Sequence, residues 1–220
     1  MVAFPRVLLL DLDGTLVDTV PDLAAALNRL MASRGLAGFD FPATAAMVGD
    51  GVARLVTKAF SARDRVPDAT AVADFTRDYQ LHAAVDSRLF PNVMDTLHNL
   101  TGEGWRLAVC TNKPEAAARV LLDALGLAPL MAAVGAGDSF PVRKPDPAHL
   151  LATLTAVGGA PERAIMAGDL ANDVVAATGA GVKCIFAAWG YGPISMAEGS
   201  VAVARDIGDM ADIARRLLPA

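Results

Sequence analysis

Apolar residues fall along this chain in short runs of strand length, and several of those runs end abruptly in polar side chains. Val7-Leu8-Leu9-Leu10 ends in Asp11-Leu12-Asp13-Gly14-Thr15, and Leu107-Ala108-Val109-Cys110 ends in Thr111-Asn112. Ala164-Ile165-Met166-Ala167 ends in Gly168-Asp169. Continuous apolar runs of this length read as strands buried on both faces, the habit of a parallel sheet. The pattern predicts strands near 6–11, 105–111, 132–137, 164–169 and 183–188. It predicts helices near 92–103, 114–125, 147–157, 172–179 and 208–218. From 92 onward strand and helix alternate, which makes this an α/β fold with a doubly wound parallel sheet and helices on both faces.

The stretch from 18 to 87 breaks the alternation. No clear strand appears in it, and Leu23, Leu27, Leu30 and Met31 recur at helical spacing. Thr19, Pro21 and Asp22 read as a helix start resembling a capping box, with Asp in place of the usual Glu or Gln. The expected organisation is a catalytic core from 1–17 and 88–220, with an all-helical insertion from 18–87. Its hinges are expected near 16–18 and 86–90.

Composition narrows the class. At 220 residues, 54% hydrophobic and 20% charged, the chain suits one domain with a large insertion or two modest ones. A net charge of −5 provides no basic stripe for nucleic acid. No apolar stretch approaches the ~18 residues of a membrane span. The first residues run into a strand without the features of a signal peptide, so a cytoplasmic protein is expected. Cys110 and Cys184 fall inside expected strands and read as reduced core thiols. A cysteine phosphatase would need an arginine a few residues past the thiol; the first after Cys110 is Arg119, well along a helix. His82, His98 and His149 lie outside every motif and are expected on helix surfaces or at an interface, and Trp105 and Trp189 are expected to pack.

The strand ends carry the chemistry. In an open α/β sheet, side chains at the carboxyl ends of strands face the crevice where ligands bind. Asp11 and Asp13 would share one face of an ideal strand. At ~4 Å such a pair repels by roughly 4 kcal/mol near a surface. A cation, a proton transfer or a nucleophilic attack justifies that arrangement. An ordinary turn would account for Asp13-Gly14 but not for Asp11. Beyond them stand Thr111, Asn112, Lys144 within Arg143-Lys144-Pro145-Asp146-Pro147, and Asp169, Asn172 and Asp173. Asp11, Asp13, Asp169 and Asp173 would repel one another and any anionic ligand unless cations intervened. The candidate ligands are all oxygens, so the cation expected is hard, Mg²⁺ above all. Lys144 adds positive charge, and Thr111 with backbone N–H groups can bond an anion's oxygens.

Taken in order, Asp-x-Asp-Gly-Thr, then Thr, then Lys, then Gly-Asp-x-x-x-Asp, the chain resembles the haloacid dehalogenase superfamily of phosphohydrolases along its whole length. The resemblance implies a Rossmann-like core with a helical cap and an Mg²⁺-dependent phosphatase working through an aspartyl-phosphate. It makes Asp11 the nucleophile and a metal ligand. Asp13 becomes the acid and then the base, with its backbone carbonyl on the metal. Asp169 ligates the metal, and Asp173 is counted with the metal set or orients Lys144. Thr111, Asn112 and Lys144 hold the phosphoryl group. The sequence departs from the family in one place: Ser or Thr often follows the motif's Gly-Asp, and Leu170 stands here.

The inserted block is expected to set the substrate. Val48-Gly49-Asp50-Gly51-Val52 is a Gly-x-Gly turn opening a helix, where backbone N–H groups suit a carboxylate or phosphate. A plain helix–helix turn is the competing account. With Thr111-Asn112-Lys113-Pro114 and Trp189-Gly190-Tyr191-Gly192, it resembles the phosphoglycolate phosphatase subgroup. That implies a small phosphorylated metabolite, 2-phosphoglycolate first, with Gly49, Gly51 and Arg54 near its carboxylate. A solvated or salt-bridged Arg54 stays open. A sugar phosphomutase of the same fold would return the phosphoryl group to a bound sugar, and a non-enzymatic receiver-like phosphoacceptor would order its aspartates differently and lack the insertion. Monomer and homodimer both remain open.

Overall fold

The computed structural model describes residues 4–220, and in it the first apolar run becomes β1 (Val7–Leu10), fully buried along its length. β2 (Val17–Asp18) follows, then four helices: α1 (Val20–Ser33), α2 (Phe41–Ala45), α3 (Val52–Ser61) and α4 (Ala71–Leu81). β3 (Arg88–Leu89) brings the chain back and pairs antiparallel with β2, so the two crossings into and out of the helical block run side by side.

The alternating region then unrolls as α5 (Val93–Gly102), β4 (Arg106–Cys110), α6 (Glu115–Ala124), β5 (Met131–Gly135) and α7 (Pro147–Val157). It continues with β6 (Ala164–Gly168), α8 (Ala171–Gly179), β7 (Lys183–Ala187), β8 (Ala202–Ala204) and α9 (Ile207–Leu217). The six-stranded sheet has the order β5-β4-β1-β6-β7-β8, with every pairing parallel. Strand order reverses between β1 and β6. In a doubly wound sheet, the crevice at the carboxyl side of that reversal is where ligands bind.

Alternation along the strands sorts the core into two layers. Leu8, Leu10, Leu107, Val109 and Ile165 pack with α5 and α9 residues such as Leu97 and Met210. Val7, Leu9, Ala108, Met166 and Phe186 pack on the other face with Leu150 and Leu154 of α7 and Val174 of α8. The helical block has a core of its own around Leu27, Met31, Phe60 and Phe75, joined by Ala117 from α6. Filling such a site matters: a buried Phe cut to Ala costs ~3–5 kcal/mol.

Several expectations change here. The side chain of Thr19 does not cap α1; its hydroxyl donates to Asp13 Oδ1 at 2.7 Å. Asp22 completes no capping box either, because both its oxygens are taken by the returning chain. They accept from the N–H groups of Val85, Asp86 and Ser87 at 3.1, 2.9 and 2.9 Å, and from the Ser87 hydroxyl at 2.7 Å. His149 is buried rather than exposed, with its Nε2 3.1 Å from the Ala136 carbonyl. Burial, with Lys144 nearby, lowers its pKa to about 4. The two-residue strands β2 and β3 lack the apolar run that announces the others, and β8 forms within Val201-Ala202-Val203-Ala204 as a further strand at the sheet edge. Among the described residues, no helix is long and apolar enough to cross a membrane.

Candidate active site

The sheet ladder runs one residue past the strand ends and so aims the polar side chains. Asp11 N–H donates to the Ala167 carbonyl and Thr111 N–H to the Gly135 carbonyl, each at 2.9 Å. Asp11 therefore leaves β1, and Asp169 leaves β6, on the two sides of the topological reversal. Asp11 Oδ1 lies 2.9 Å from Lys144 Nζ, which in turn lies 2.6 Å from Asp173 Oδ1. The other Asp173 oxygen accepts from Leu170 N–H at 3.0 Å, so that carboxylate is occupied on both sides.

Asp13 has a different lysine. Its Oδ1 lies 2.7 Å from Lys113 Nζ, and the same ammonium reaches the Tyr79 hydroxyl of α4 at 2.6 Å. Each member of the Asp-x-Asp pair is thus matched to its own buried ammonium. Lys144 carries the signal of its motif. Lys113 was missed as a site residue because a single lysine after a strand is common; its distance of two positions from Thr111 was the available hint. Thr111 Oγ1 accepts from Lys113 N–H at 3.2 Å.

Asp169 is held by Thr15 and Tyr191, which fall within the sequence motifs but were given no role there. Its Oδ1 accepts from the Thr15 hydroxyl at 2.9 Å and its Oδ2 from Tyr191 N–H at 2.7 Å. Gly14 must be glycine for the same contact. Its φ is +83°, and a Cβ there would overlap the Asp169 carboxylate.

Oxygens of Asp11, Asp169 and Asp173, all buried, lie within 4.8 Å of one another. Burial raises the Asp11 pKa to about 7 against the pull of Lys144, with Asp173 and Asp13 adding to the rise. Burial raises Asp169 to about 8, helped by Asp11 and Asp173. Burial works against the charge on Lys144, but Asp11 and Asp173 outweigh it and hold its pKa above the ordinary value. Three buried carboxylates around one ammonium leave negative charge in excess. A hard divalent cation would balance it, and the oxygen-only donor set suits one.

The Gly-x-Gly turn of the helical block closes over this crevice. The Gly49 carbonyl accepts from the side-chain amides of Asn112 and Asn172, each at 2.9 Å. Leu170 has its methyl groups under the turn, where a Cβ on Gly49 would overlap Leu170 Cδ1. Leu170, the position at which the resemblance breaks, thus packs against this loop of the helical block. Asp11, Asp13, Thr111, Asn112 and Lys113 meet Gly49 and Gly51 around a cavity of about 40 Å³. Arg54 is not brought to it. Val52 and Leu55 line the cavity, whereas Arg54 lines a separate cleft of about 470 Å³ with Asp50, Lys58 and Arg143.

The doubly wound sheet gathers these carboxylates and lysines around one crevice, and the relatives indicate a phosphoric monoester hydrolase. Residues 5–181 match the haloacid dehalogenase-like hydrolase family, and the chain belongs to it. The phosphoglycolate phosphatase of Agrobacterium fabrum is 41% identical over 86% of this chain and 82% of its own length. That of Rhodospirillum rubrum is 41% identical over 94% and 90%. A crystal structure described as a predicted phosphoglycolate phosphatase from Haemophilus somnus superposes with a TM-score of 0.85 at 29% identity, covering 97% of this chain and 99% of that one.

Proposed function

We propose that this protein hydrolyses 2-phosphoglycolate, or a phosphorylated acid of similar size, through an aspartyl-phosphate, with a divalent cation. The observation that carries this is the pairing of Asp11 with Lys144 and of Asp13 with Lys113 at the mouth of one crevice. The names of the relatives from Agrobacterium fabrum and Rhodospirillum rubrum support the substrate.

Asp11 attacks phosphorus, and the bond between phosphorus and the ester oxygen breaks. Asp13 delivers its proton to the departing oxygen; it later takes a proton from the water that attacks the phosphoaspartate, and inorganic phosphate leaves. Lys144 and the Thr111 hydroxyl hold phosphoryl oxygens, and Asn112 secures the turn above them. Asp173, occupied by Lys144 and Leu170, orients that lysine rather than the phosphoryl group. Asp11, the Asp13 backbone carbonyl and Asp169 would hold Mg²⁺, with Asp173 beside them. The ion would supply positive charge to offset the dianionic phosphoryl group.

The block spanning 18–87 acts as a cap on the core formed by 1–17 and 88–220. Residues 1–3 of that core lie outside the described residues. The cavity between block and core is small, about 40 Å³, and the paired crossings of the β2–β3 ribbon are where the cap would hinge to load substrate and then exclude water. The free, buried Cys110 and Cys184 suit a reducing, cytoplasmic setting. Phosphate release from 2-phosphoglycolate, measured against a panel of small phosphate esters with and without Mg²⁺, tests the proposal. The acid should lead the panel, and only with metal. Isomerised sugar phosphate without free phosphate would favour the phosphomutase instead.

A further inference from the structure

We infer that Lys113 is the group that reads the substrate's carboxylate, and that it does so beside the leaving oxygen. This rests on the proposed action on a small phosphorylated acid and names the residue that selects it.

Lys113 is a buried ammonium that pairs with Asp13, but no step of the phosphoryl chemistry gives it a contact with substrate. Its side chain is 2% exposed, and burial works against its charge, yet Asp13 and Tyr79 outweigh that and keep it protonated. Of its three N–H donors, one reaches Asp13 Oδ1 at 2.7 Å and one the Tyr79 hydroxyl at 2.6 Å. The third has no protein partner among the described residues, and the side chain lines the cavity above Asp11.

Among the described residues, no other cationic side chain lines that cavity. Beyond Asp11 and Asp13 its wall is largely apolar, with Leu23, Val48, Val52 and Leu55 contributed by the helical block. A second negative charge on the substrate, past the phosphoryl group, would be desolvated there at a high cost unless it met a cation. Arg54, the other candidate, lines a neighbouring cleft that Lys144 borders, and does not line the cavity itself. Among the described residues that line the cavity, Lys113 is the one cation, with the backbone of the Gly49–Gly51 turn beside it.

Position then sets the length of the acid. Asp13 must reach the leaving oxygen to protonate it, and Lys113 is hydrogen-bonded to Asp13. The carboxylate must therefore stand close to the leaving oxygen, as it does when a single carbon separates them. In 2-phosphoglycolate one CH₂ lies between the ester oxygen and the carboxylate. Tyr79, stacked on Phe75 at 5.8 Å between ring centroids, fixes the ammonium from the cap side. The cap must be closed for this lysine to be aimed, so acid recognition and closure share one contact.

The experiment compares kcat/KM for 2-phosphoglycolate, for 2-hydroxyethyl phosphate, which replaces the carboxylate by an alcohol, and for the acid longer by one carbon. Wild-type enzyme should prefer phosphoglycolate to both. Lys113→Met should lower that preference over hydroxyethyl phosphate by roughly 10- to 100-fold, the range for a lost charged hydrogen bond. Lys113→Arg should restore part of it. Tyr79→Phe keeps the buried ring and removes only the hydroxyl, so the preference should fall severalfold even if Lys113→Met folds poorly. Equal losses on both two-carbon esters in Lys113→Met would mean that the lysine acts only through Asp13, and would overturn the inference. So would an unchanged preference in Tyr79→Phe, or a loss of preference in Arg54→Ala in place of Lys113→Met. A wild-type enzyme without preference for the acid would overturn the proposed substrate as well.

Discussion

Tyr191 donates its backbone N–H to Asp169 Oδ2 at 2.7 Å, and through its side chain the same residue touches the start of the helical block. Its phenol oxygen accepts from Thr19 N–H at 2.8 Å and donates to Asp18 Oδ1 at 2.9 Å. One residue therefore spans the carboxylate cluster and the point where the chain enters that block.

That placement separates two variants. Tyr191→Phe keeps the N–H on Asp169 and removes only the hinge contacts, so the Mg²⁺ requirement should not change while stability falls by about 1 kcal/mol. Asp169→Asn should raise the Mg²⁺ needed for half-maximal rate by about tenfold or more, or abolish rescue. Titrating activity with Mg²⁺ after chelation checks both; full activity of Asp169→Asn in chelator would remove that residue from the site.

Asp22 supports the other side of the hinge. Asp22→Ala removes the buried acceptor of the Val85, Asp86 and Ser87 N–H groups, and Ser87 is itself buried, so the cost should be about 2–3 kcal/mol. Urea denaturation should show that loss. A change within a few tenths would mean water replaces the carboxylate.

Metal and protons compete for the same oxygens. Asp11 and Asp169 have folded-state pKa values of about 7 and about 8, above the ordinary 3.8. Between the ordinary value and those values the folded protein holds protons that the unfolded chain has released. In chelator, these two groups should therefore make stability fall as pH rises from about 4 to about 8. A bound cation displaces the protons, so Mg²⁺ should raise the Tm more at pH 8 than at pH 5. Equal increments at both would contradict the coupling.

Asp13 can be tested by its leaving group. Asp13→Asn should slow 2-phosphoglycolate hydrolysis by roughly 10²–10⁴-fold, and nitrophenyl phosphate far less, because nitrophenolate leaves without a proton. Equal losses on the two esters would show that Asp13 is not the acid.

The sheet was legible because most of its strands are apolar runs that end in polar residues. Asp11, Thr111 and Asp169 are named by position at those ends, and their ladders carry them into one crevice. Contacts between distant segments left no such trace. Lys113 meets Asp13 across 100 positions, and Tyr191 meets Thr19 across 172. Neither separation produces a period or a spacing. Asp22 looked like a helix cap because local pattern favours near partners, while its real partners lie more than 60 positions away. Arg54 shares α3 with Val52 and Leu55, but only the latter two turn to the cavity; the face a side chain takes depends on how the helix docks.

The claim on which the rest depends is that Asp11 attacks phosphorus. The direct measurement is mass spectrometry of enzyme quenched in acid during turnover of 2-phosphoglycolate, run beside turnover by Asp11→Asn. The account predicts one phosphoryl group on the peptide bearing Asp11, and an Asp11→Asn protein that melts like the wild type, carries no phosphoryl group and releases no phosphate. Substantial phosphate release by Asp11→Asn, or a phosphoryl group on another residue, would contradict it.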